Sequence, residues 1–302
     1  MALKDIKTKI AATKRMHTVT RAMEAVSAVK MRKTQEAAMK GRAYARAALS
    51  VLARLSGSSD VIRHPLAEAR EVKHVALVIM TSDKGLAGSL NSGVIKKALE
   101  AVASYDKEQV RVFAYGKKGM EFFMRRGYTI ASYTENRRDD VALSAMEELS
   151  RELSDGFLAK EFDEVVAVFS NFKSTFEQVP TARKLLPLSL DAIGELVKDI
   201  RPTKGKWSDE DALVAPASYE VEGEGDEVLT ILVPRLVAVS LYHMLLEGKA
   251  SEHSARMVAM KNASDKSKEV TKELTRRFNK ARQAAITREV SEIVGGREAL
   301  AT

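Results

Sequence analysis

The 302-residue chain carries 49 Lys/Arg against 41 Asp/Glu, a net charge of +8, and is 45% hydrophobic, which suffices for one large or two modest domains. It has no cysteine, which excludes disulfides and cysteine-ligated metals, and no run approaching ~18 apolar residues, which excludes direct insertion of a membrane-spanning helix. The charge is uneven: residues 1–56 hold 13 Lys/Arg against 3 Asp/Glu, residues 234–302 hold 13 against 8, and the middle holds 23 against 30, so basic ends suited to acidic partners flank an acidic centre.

The chain opens in an amphipathic pattern with Asp5 already present, which predicts neither a signal peptide nor an acid-poor import leader. All six prolines fall between Pro65 and Pro234, and residues 1–56 contain one glycine, Gly41. Rich in Ala, Lys, Arg and Met, this stretch predicts one continuous helix as the first domain, a rod of roughly 80–90 Å at ~1.5 Å per residue. Leu3, Ile6, Ile10, Thr13, His17 and Thr20 follow a 3-4 alternation, and Met23 and Val26 continue it with steps of three. So narrow a seam is coiled-coil packing, with the consecutive threes marking a local change of winding. Methionines at 16, 23, 31 and 39 read as seam packing, or as surfaces that can repack against a moving partner.

Residues 57–227 read as an α/β domain. Strands are predicted at Val75–Met80, Val110–Tyr115, Thr129–Tyr133 and Val165–Phe169, with helices near 91–104, 120–126 and 141–158 between them. Such alternation specifies a largely parallel sheet covered by helices. Residues 184–190 are expected to add an edge strand. Polar, acidic and glycine-bearing residues 201–226 read as an exposed loop, with a weak strand around 218–221.

Residues 228–302 form the third region, a helix whose stripe runs Val270, Leu274, Phe278, Ala281 and Ala285, extended by Ile286, Val290 and Ile293. Gly295-Gly296 is expected to end it and leave a short tail. Since the first helix enters the middle domain and the last leaves it, the two pair antiparallel, both chain termini at the far tip.

The strand-to-helix turn Thr81-Ser-Asp-Lys-Gly85-Leu-Ala-Gly88-Ser-Leu-Asn91 sits where phosphate cradles sit, yet contains neither G-x-G-x-x-G nor G-x-x-x-x-G-K-[ST]. It reads as a structural turn, and no cofactor is expected. The five histidines show no metal-ligand spacing, and no nucleophile motif is present, so no catalytic or metal site is expected. The basic helices carry almost no aromatic residues to stack bases, which argues against nucleic acid. On these residues alone, a coiled-coil scaffold or nucleic-acid-binding protein with an α/β head remains open.

Ile6-Lys-Thr-Lys-Ile10, Thr18-Val-Thr-Arg-Ala-Met23 and Val29-Lys-Met-Arg-Lys33 resemble the N-terminal helix of the gamma subunits of F-type ATP synthases. Ser251-Glu-His-Ser-Ala-Arg-Met-Val-Ala-Met260 and the stretch Phe278–Val294 are similar to that family's C-terminal signature, and Thr81–Asn91 to its strand-to-helix turn. The chain departs from the family pattern at Ala87 and Ser89, where Cys and Gly are frequent, and at Arg297 and Glu298 in the tail. It also lacks the cysteine-bearing insert of chloroplast members. The family fold is an antiparallel coiled coil plus a Rossmann-like α/β domain, which the residue patterns reach separately.

The resemblance implies a non-catalytic rotor shaft inside a ring of alpha and beta subunits, joined by an epsilon subunit and a membrane c-ring, at the cytoplasmic face of a bacterial cell membrane. By match to the family's motifs it implies ring contacts at Met23, Lys30, Arg256, Arg282, Gln283, Thr287, Glu289 and Glu292. It implies epsilon or c-ring contacts at Tyr219 and Glu220.

Overall fold

The computed structural model describes residues 3–55, 64–136, 143–188 and 225–299. In chain order the elements are α1 (Leu3–Leu55), β1 (Val75–Met80), α2 (Leu90–Ala101), β2 (Val110–Tyr115) and α3 (Lys117–Arg125). There follow β3 (Thr129–Thr134), α4 (Leu143–Leu158), β4 (Glu164–Ser174), β5 (Glu177–Leu186) and α5 (Gly225–Ala299). The chain divides into two compact units, one of Met1–Ser27 with Met257–Thr302, the other of Ala28–Arg256.

The larger unit is built on a five-stranded sheet of order β3-β2-β1-β4-β5, parallel except for the β4–β5 hairpin. β1 lies at its centre with all six residues buried, which is why Val75-Ala-Leu-Val-Ile-Met80 reads as an unbroken apolar run. Its side chains alternate between two cores. Val75, Leu77 and Ile79 face α2 and α3 through Val94, Ala98 and Phe123. Ala76, Val78 and Met80 face α4 and α5 through Leu153, Phe157, Leu236, Val237 and Leu241. The first part of α5 is therefore a layer of the α/β fold.

α5 begins at Gly225, a little before the expected 228, and runs through Pro234. An internal proline costs ~3 kcal/mol. The helix face beside it buries Val233, Leu236 and Val237 almost completely, and each such side chain contributes about 1.5–3 kcal/mol, so burial wins. Nor does Gly295-Gly296 end the helix, which continues to Ala299. Glycine permits a stop without imposing one, and the Arg-Glu-Ala that follows favours helix.

The expected edge strand at 184–190 is β5, displaced toward the N-terminus to Glu177–Leu186 and paired antiparallel with an eleven-residue β4, beyond the predicted end at Phe169. Ser174 makes the turn, its Oγ accepting from the backbone N–H of Phe176 (3.3 Å) and Glu177 (3.1 Å). Pro180 is tolerated because β5 is an edge strand. Between β2 and α3, Gly116 takes φ 107°, and a Cβ there would stand 2.0 Å from the Thr81 carbonyl oxygen, so glycine is required.

A polar staple locks the entry to β1. Arg70 Nε donates to Asp163 Oδ1 (2.6 Å), and its Nη2 donates to the carbonyls of Phe157 (2.8 Å) and Phe162 (2.6 Å). Asp163 Oδ2 accepts from the backbone N–H of Lys73 (2.8 Å) and His74 (3.0 Å). Burial pushes the Asp163 pKa up, but these two N–H groups and the Arg70 guanidinium outweigh it and hold the carboxyl below its ordinary 3.8.

Candidate functional site

In the smaller unit the two helices meet at His17 and Ser264, where His17 Nδ1 lies 3.0 Å from Ser264 Oγ and 3.1 Å from Ser264 O. Fourteen residues from His17 toward the N-terminus is Leu3, and fourteen from Ser264 toward the C-terminus is Phe278. Both are half-buried, as antiparallel pairing requires. The shielded positions of α1 run 3, 6, 10, 13, 17, 20, 24, 27, and those of the α5 segment run 260, 264, 267, 271, 274, 278, 281, 285. Both alternate threes and fours without interruption, so the expected change of winding is absent. Val26 does not belong to the seam: it is 55% exposed, while its neighbour Ser27 is 3% exposed.

Val26 instead continues a second row. Met16 (59% exposed), Val19 (56%), half-buried Met23 and Val26 repeat the 3-4-3 spacing one position away from the seam. Single exposed apolar side chains need no explanation, but three exposed and one half-buried in register on one helix mark a surface for a partner.

Ile286, Val290 and Ile293 are also unshielded, contrary to the expected stripe, and Val294 joins them. The reason is register: described α1 begins level with Phe278, so these residues extend beyond it. The predicted contacts interleave with this apolar set. Arg282, Ile286, Glu289 and Ile293 share one helical row, while Gln283, Thr287, Val290 and Val294 share the next. All of them are exposed. Arg282 has no ion-pair partner among the described residues, whereas Glu292 accepts from Arg288 Nε at 2.9 Å. Thr287 Oγ1 donates to its own helix at the Gln283 carbonyl, 3.0 Å away.

A shallow groove on α5 is lined by Lys272, Arg276 and Lys280 on one row and Thr275, Asn279 and Gln283 on the next, cation beside neutral donor. Across Leu3–Ser27 and Met257–Ala299, sixteen lysines and arginines stand against eight acidic residues, a surplus of eight positive charges. That field attracts an acidic surface.

Of the remaining predicted residues, Met23 and Lys30 are half-buried on α1. Arg256 is 9% exposed and bound to the chain's own groups. Tyr219 and Glu220, with residues 201–224 of the predicted loop 201–226 and its weak strand, lie outside the described residues, while Gly225 and Asp226 at the loop's expected end already belong to α5. Sequence reasoning missed the Met16-Val19-Val26 row, although its 3-4 spacing parallel to the seam was a legible signal.

The glycine-bearing turn follows β1 at the carboxyl edge of the sheet. β1 borders both β2 and β4, so the chain reverses its winding at the carboxyl end of β1, where α/β sheets hold ligands. There the crevice between Thr81, Ser82, Asn136 and Ser170 is closed by Leu245 and Glu252 of α5, leaving about 10 Å³. That is room for about one water, against the ~300–1,000 Å³ of a ligand site. Nearby, the Tyr115 phenol is pushed up to about 12 by burial and by Asp83. Among the described residues no group of three or more His, Asp or Glu could hold a metal ion, and no helix is long and apolar enough to cross a membrane.

These features define a class: an α/β protein whose terminal helices pair into a basic coiled coil with unshielded apolar rows. Residues 2–300 match the family model described as ATP synthase. The chain is 37% identical to the ATP synthase gamma chain of Pelotomaculum thermopropionicum over 299 residues, 99% of each chain. It is 39% identical to that of Roseiflexus castenholzii over 302 residues, 99% of this chain and 98% of the relative. A chain in the structure of the Tetrahymena thermophila mitochondrial ATP synthase central stalk and c-ring aligns with a TM-score of 0.61 and 26% identity, covering 82% of this chain and 99% of that one. One from the Euglena gracilis mitochondrial ATP synthase aligns over 99% of this chain and 94% of that one, with a TM-score of 0.62 and 16% identity, and shares the fold. The chain belongs to the ATP synthase gamma-chain family.

Proposed function

We propose that this chain is the central rotor shaft of an F-type ATP synthase, coupling proton flow through a membrane c-ring to conformational cycling of catalytic sites on a ring of alpha and beta subunits. The observation that carries this reading is the pair of unshielded apolar rows, Met16-Val19-Val26 and Ile286-Val290-Ile293, on a strongly basic two-helix unit. A shaft must offer surface to a partner that changes conformation around it, and these rows offer apolar surface without a fixed counterpart.

The shaft works by differential contact. Two paired helices have no threefold symmetry, so three chemically identical sites around them meet three different surfaces and take three conformations. Turning the shaft moves each site to the next, and the free energy available is the difference in contact between states. Met23, Lys30, Arg282, Gln283, Thr287, Glu289 and Glu292 are the proposed ring contacts, and Tyr219 and Glu220 the proposed contacts to epsilon or the c-ring; Arg256, also expected to touch the ring, is set apart from them by its bond to Glu252. In this reading the chain itself takes no catalytic part. Its place is peripheral, at the cytoplasmic face of the bacterial cell membrane.

Copurification tests the reading. A tagged chain expressed in its own host should bring down alpha, beta and epsilon subunits in fixed stoichiometry, with ATPase activity that disappears when this chain is removed. Recovery without alpha and beta subunits would refute it, as would micromolar Mg-ATP binding to the isolated chain.

A further inference from the structure

The turn between β1 and α2 is held in a shape its sequence does not favour. Leu86 has φ 63°, a left-handed conformation that a leucine keeps only when its surroundings over-determine it, and its side chain is 62% exposed. Several bonds fix the turn to the sheet side. Ser82 Oγ donates to the Lys84 carbonyl at 2.6 Å, Asn91 Oδ1 accepts from Ser82 N–H at 3.0 Å, and Asp83 Oδ1 accepts from Lys117 N–H at 2.8 Å.

On the opposite side stands Arg256 of α5, within the same compact unit. Its Nη2 donates to Glu252 Oε1 at 2.7 Å and faces the carbonyls of Lys84 at 3.5 Å and Gly85 at 3.4 Å. The two carbonyl contacts are long and individually weak. The guanidinium is nevertheless fixed, because the Arg256 and Glu252 side chains are both about nine-tenths buried and their charge-assisted bond is short. Moving the arginine outward would strand a buried carboxylate, so the pair stays and the turn stays with it.

We propose that Arg256 is a positioning residue that acts inside the chain: with Glu252 it clasps the Lys84-Gly85 backbone to α5, so that turn and helix move as one body and Leu86 is presented outward. The proposal goes beyond the rotor reading and is independent of it. It separates Arg256 from Arg282, an exposed arginine of the same helix that has no ion pair among the described residues.

The Lys84–Gly85 peptide is itself a trypsin site, which makes the clasp measurable in the purified full chain. Cleavage there requires the Lys84 carbonyl to leave its partners, and its rate follows the population of the opened turn. The double variant Glu252→Met with Arg256→Met removes the clasp without leaving a lone buried charge, since apolar replacement of a buried pair is often tolerated. Mass spectrometry should show cleavage after Lys84 accelerated roughly tenfold, with cleavage after Lys96 in α2 unchanged. Arg256→Lys should fall between wild type and the double variant, because an ammonium reaches a carbonyl but lacks the planar fork. A wild-type rate after Lys84 in the double variant would overturn the clasp, and so would equal acceleration at Lys84 and Lys96, which marks general loss of structure.

Discussion

The two units of this chain are stabilised in opposite ways. In Ala28–Arg256 the sheet buries apolar side chains on both faces, with Phe123, Phe157 and Leu153 fully enclosed. In the paired helices the seam intersperses Leu3, Ile6, Ile10, Met260, Leu274 and Phe278 with small or polar residues, among them Thr13, His17, Thr20, Ser27, Ser264, Ser267 and Ala281. Many of the seam hydroxyls do not cross the interface. Thr13, Thr20 and Ser267 each donate to a carbonyl of their own helix four residues back, at 2.9, 2.9 and 2.7 Å. Small side chains let the helices approach closely but contribute little burial. Meanwhile the larger apolar groups Met16, Val19, Val26, Ile286 and Ile293 face outward. The α/β unit is built to be stable alone, and the helical unit to be completed by what surrounds it.

The comparison can be broken most forcefully in the α/β core. Phe123→Ala, which empties a fully buried site among Val110, Tyr128 and their neighbours, should cost about 3–5 kcal/mol in chemical denaturation of the full chain. A loss below about 1 kcal/mol would mean that this core is not where stability resides. On the helical unit, Arg282→Ala with Gln283→Ala should leave assembly and helix content intact, since both side chains are exposed and alanine favours helix. ATP-driven proton pumping and ATP synthesis in reconstituted complexes should fall roughly tenfold, equivalent to ~1.4 kcal/mol of lost coupling. Wild-type rates would remove both residues from the mechanism.

The staple at β1 gives the larger unit a pH dependence. The Asp163 carboxyl titrates lower in the folded chain than in the unfolded one, so its contribution to stability is fully present above the ordinary carboxylate pKa of 3.8. That contribution is lost as pH falls through the depressed folded value. Urea midpoints between pH 5 and 3 should therefore decline more steeply in the wild type than in Asp163→Asn. Parallel profiles would show that the staple does not titrate with folding. The smallest effect is expected at the seam, where Thr20→Ala should shift the thermal midpoint little, because its hydroxyl bonds only within α1. By the same reasoning, hydrogen exchange of the free chain should show weak protection in 3–27 and 257–294 that rises on assembly. Strong, unchanged protection would erase the contrast between the units.

Much of this was legible in the sequence because it depends on periods that one segment carries by itself. The apolar runs at Val75 and Val110 and the alternation of strands with helices announced a covered parallel sheet. Heptad spacing, with no proline in 1–56 or 235–302, announced the terminal helices. The family's motifs at both ends are local strings and needed no structure to be recognised. The β4–β5 hairpin was less legible because residues 170–182 mix polar side chains with Pro180, and only the edge position makes that composition acceptable in a strand.

What the sequence by itself determined, then, was the order of the elements, the amphipathic period of each and the basic character of the ends. The tertiary structure decided which of two neighbouring rows on α1 is closed. Val26 and Ser27 lie only ~100° apart on the helix, and hydropathy favours the wrong one. It also decided that α5 passes through Pro234, that Ile286, Val290 and Ile293 are left bare, and that Arg256 turns inward while Arg282 stays exposed. The physical reason is common to all four: a period fixes the faces of an element, but which face is covered depends on a partner segment far away in the chain.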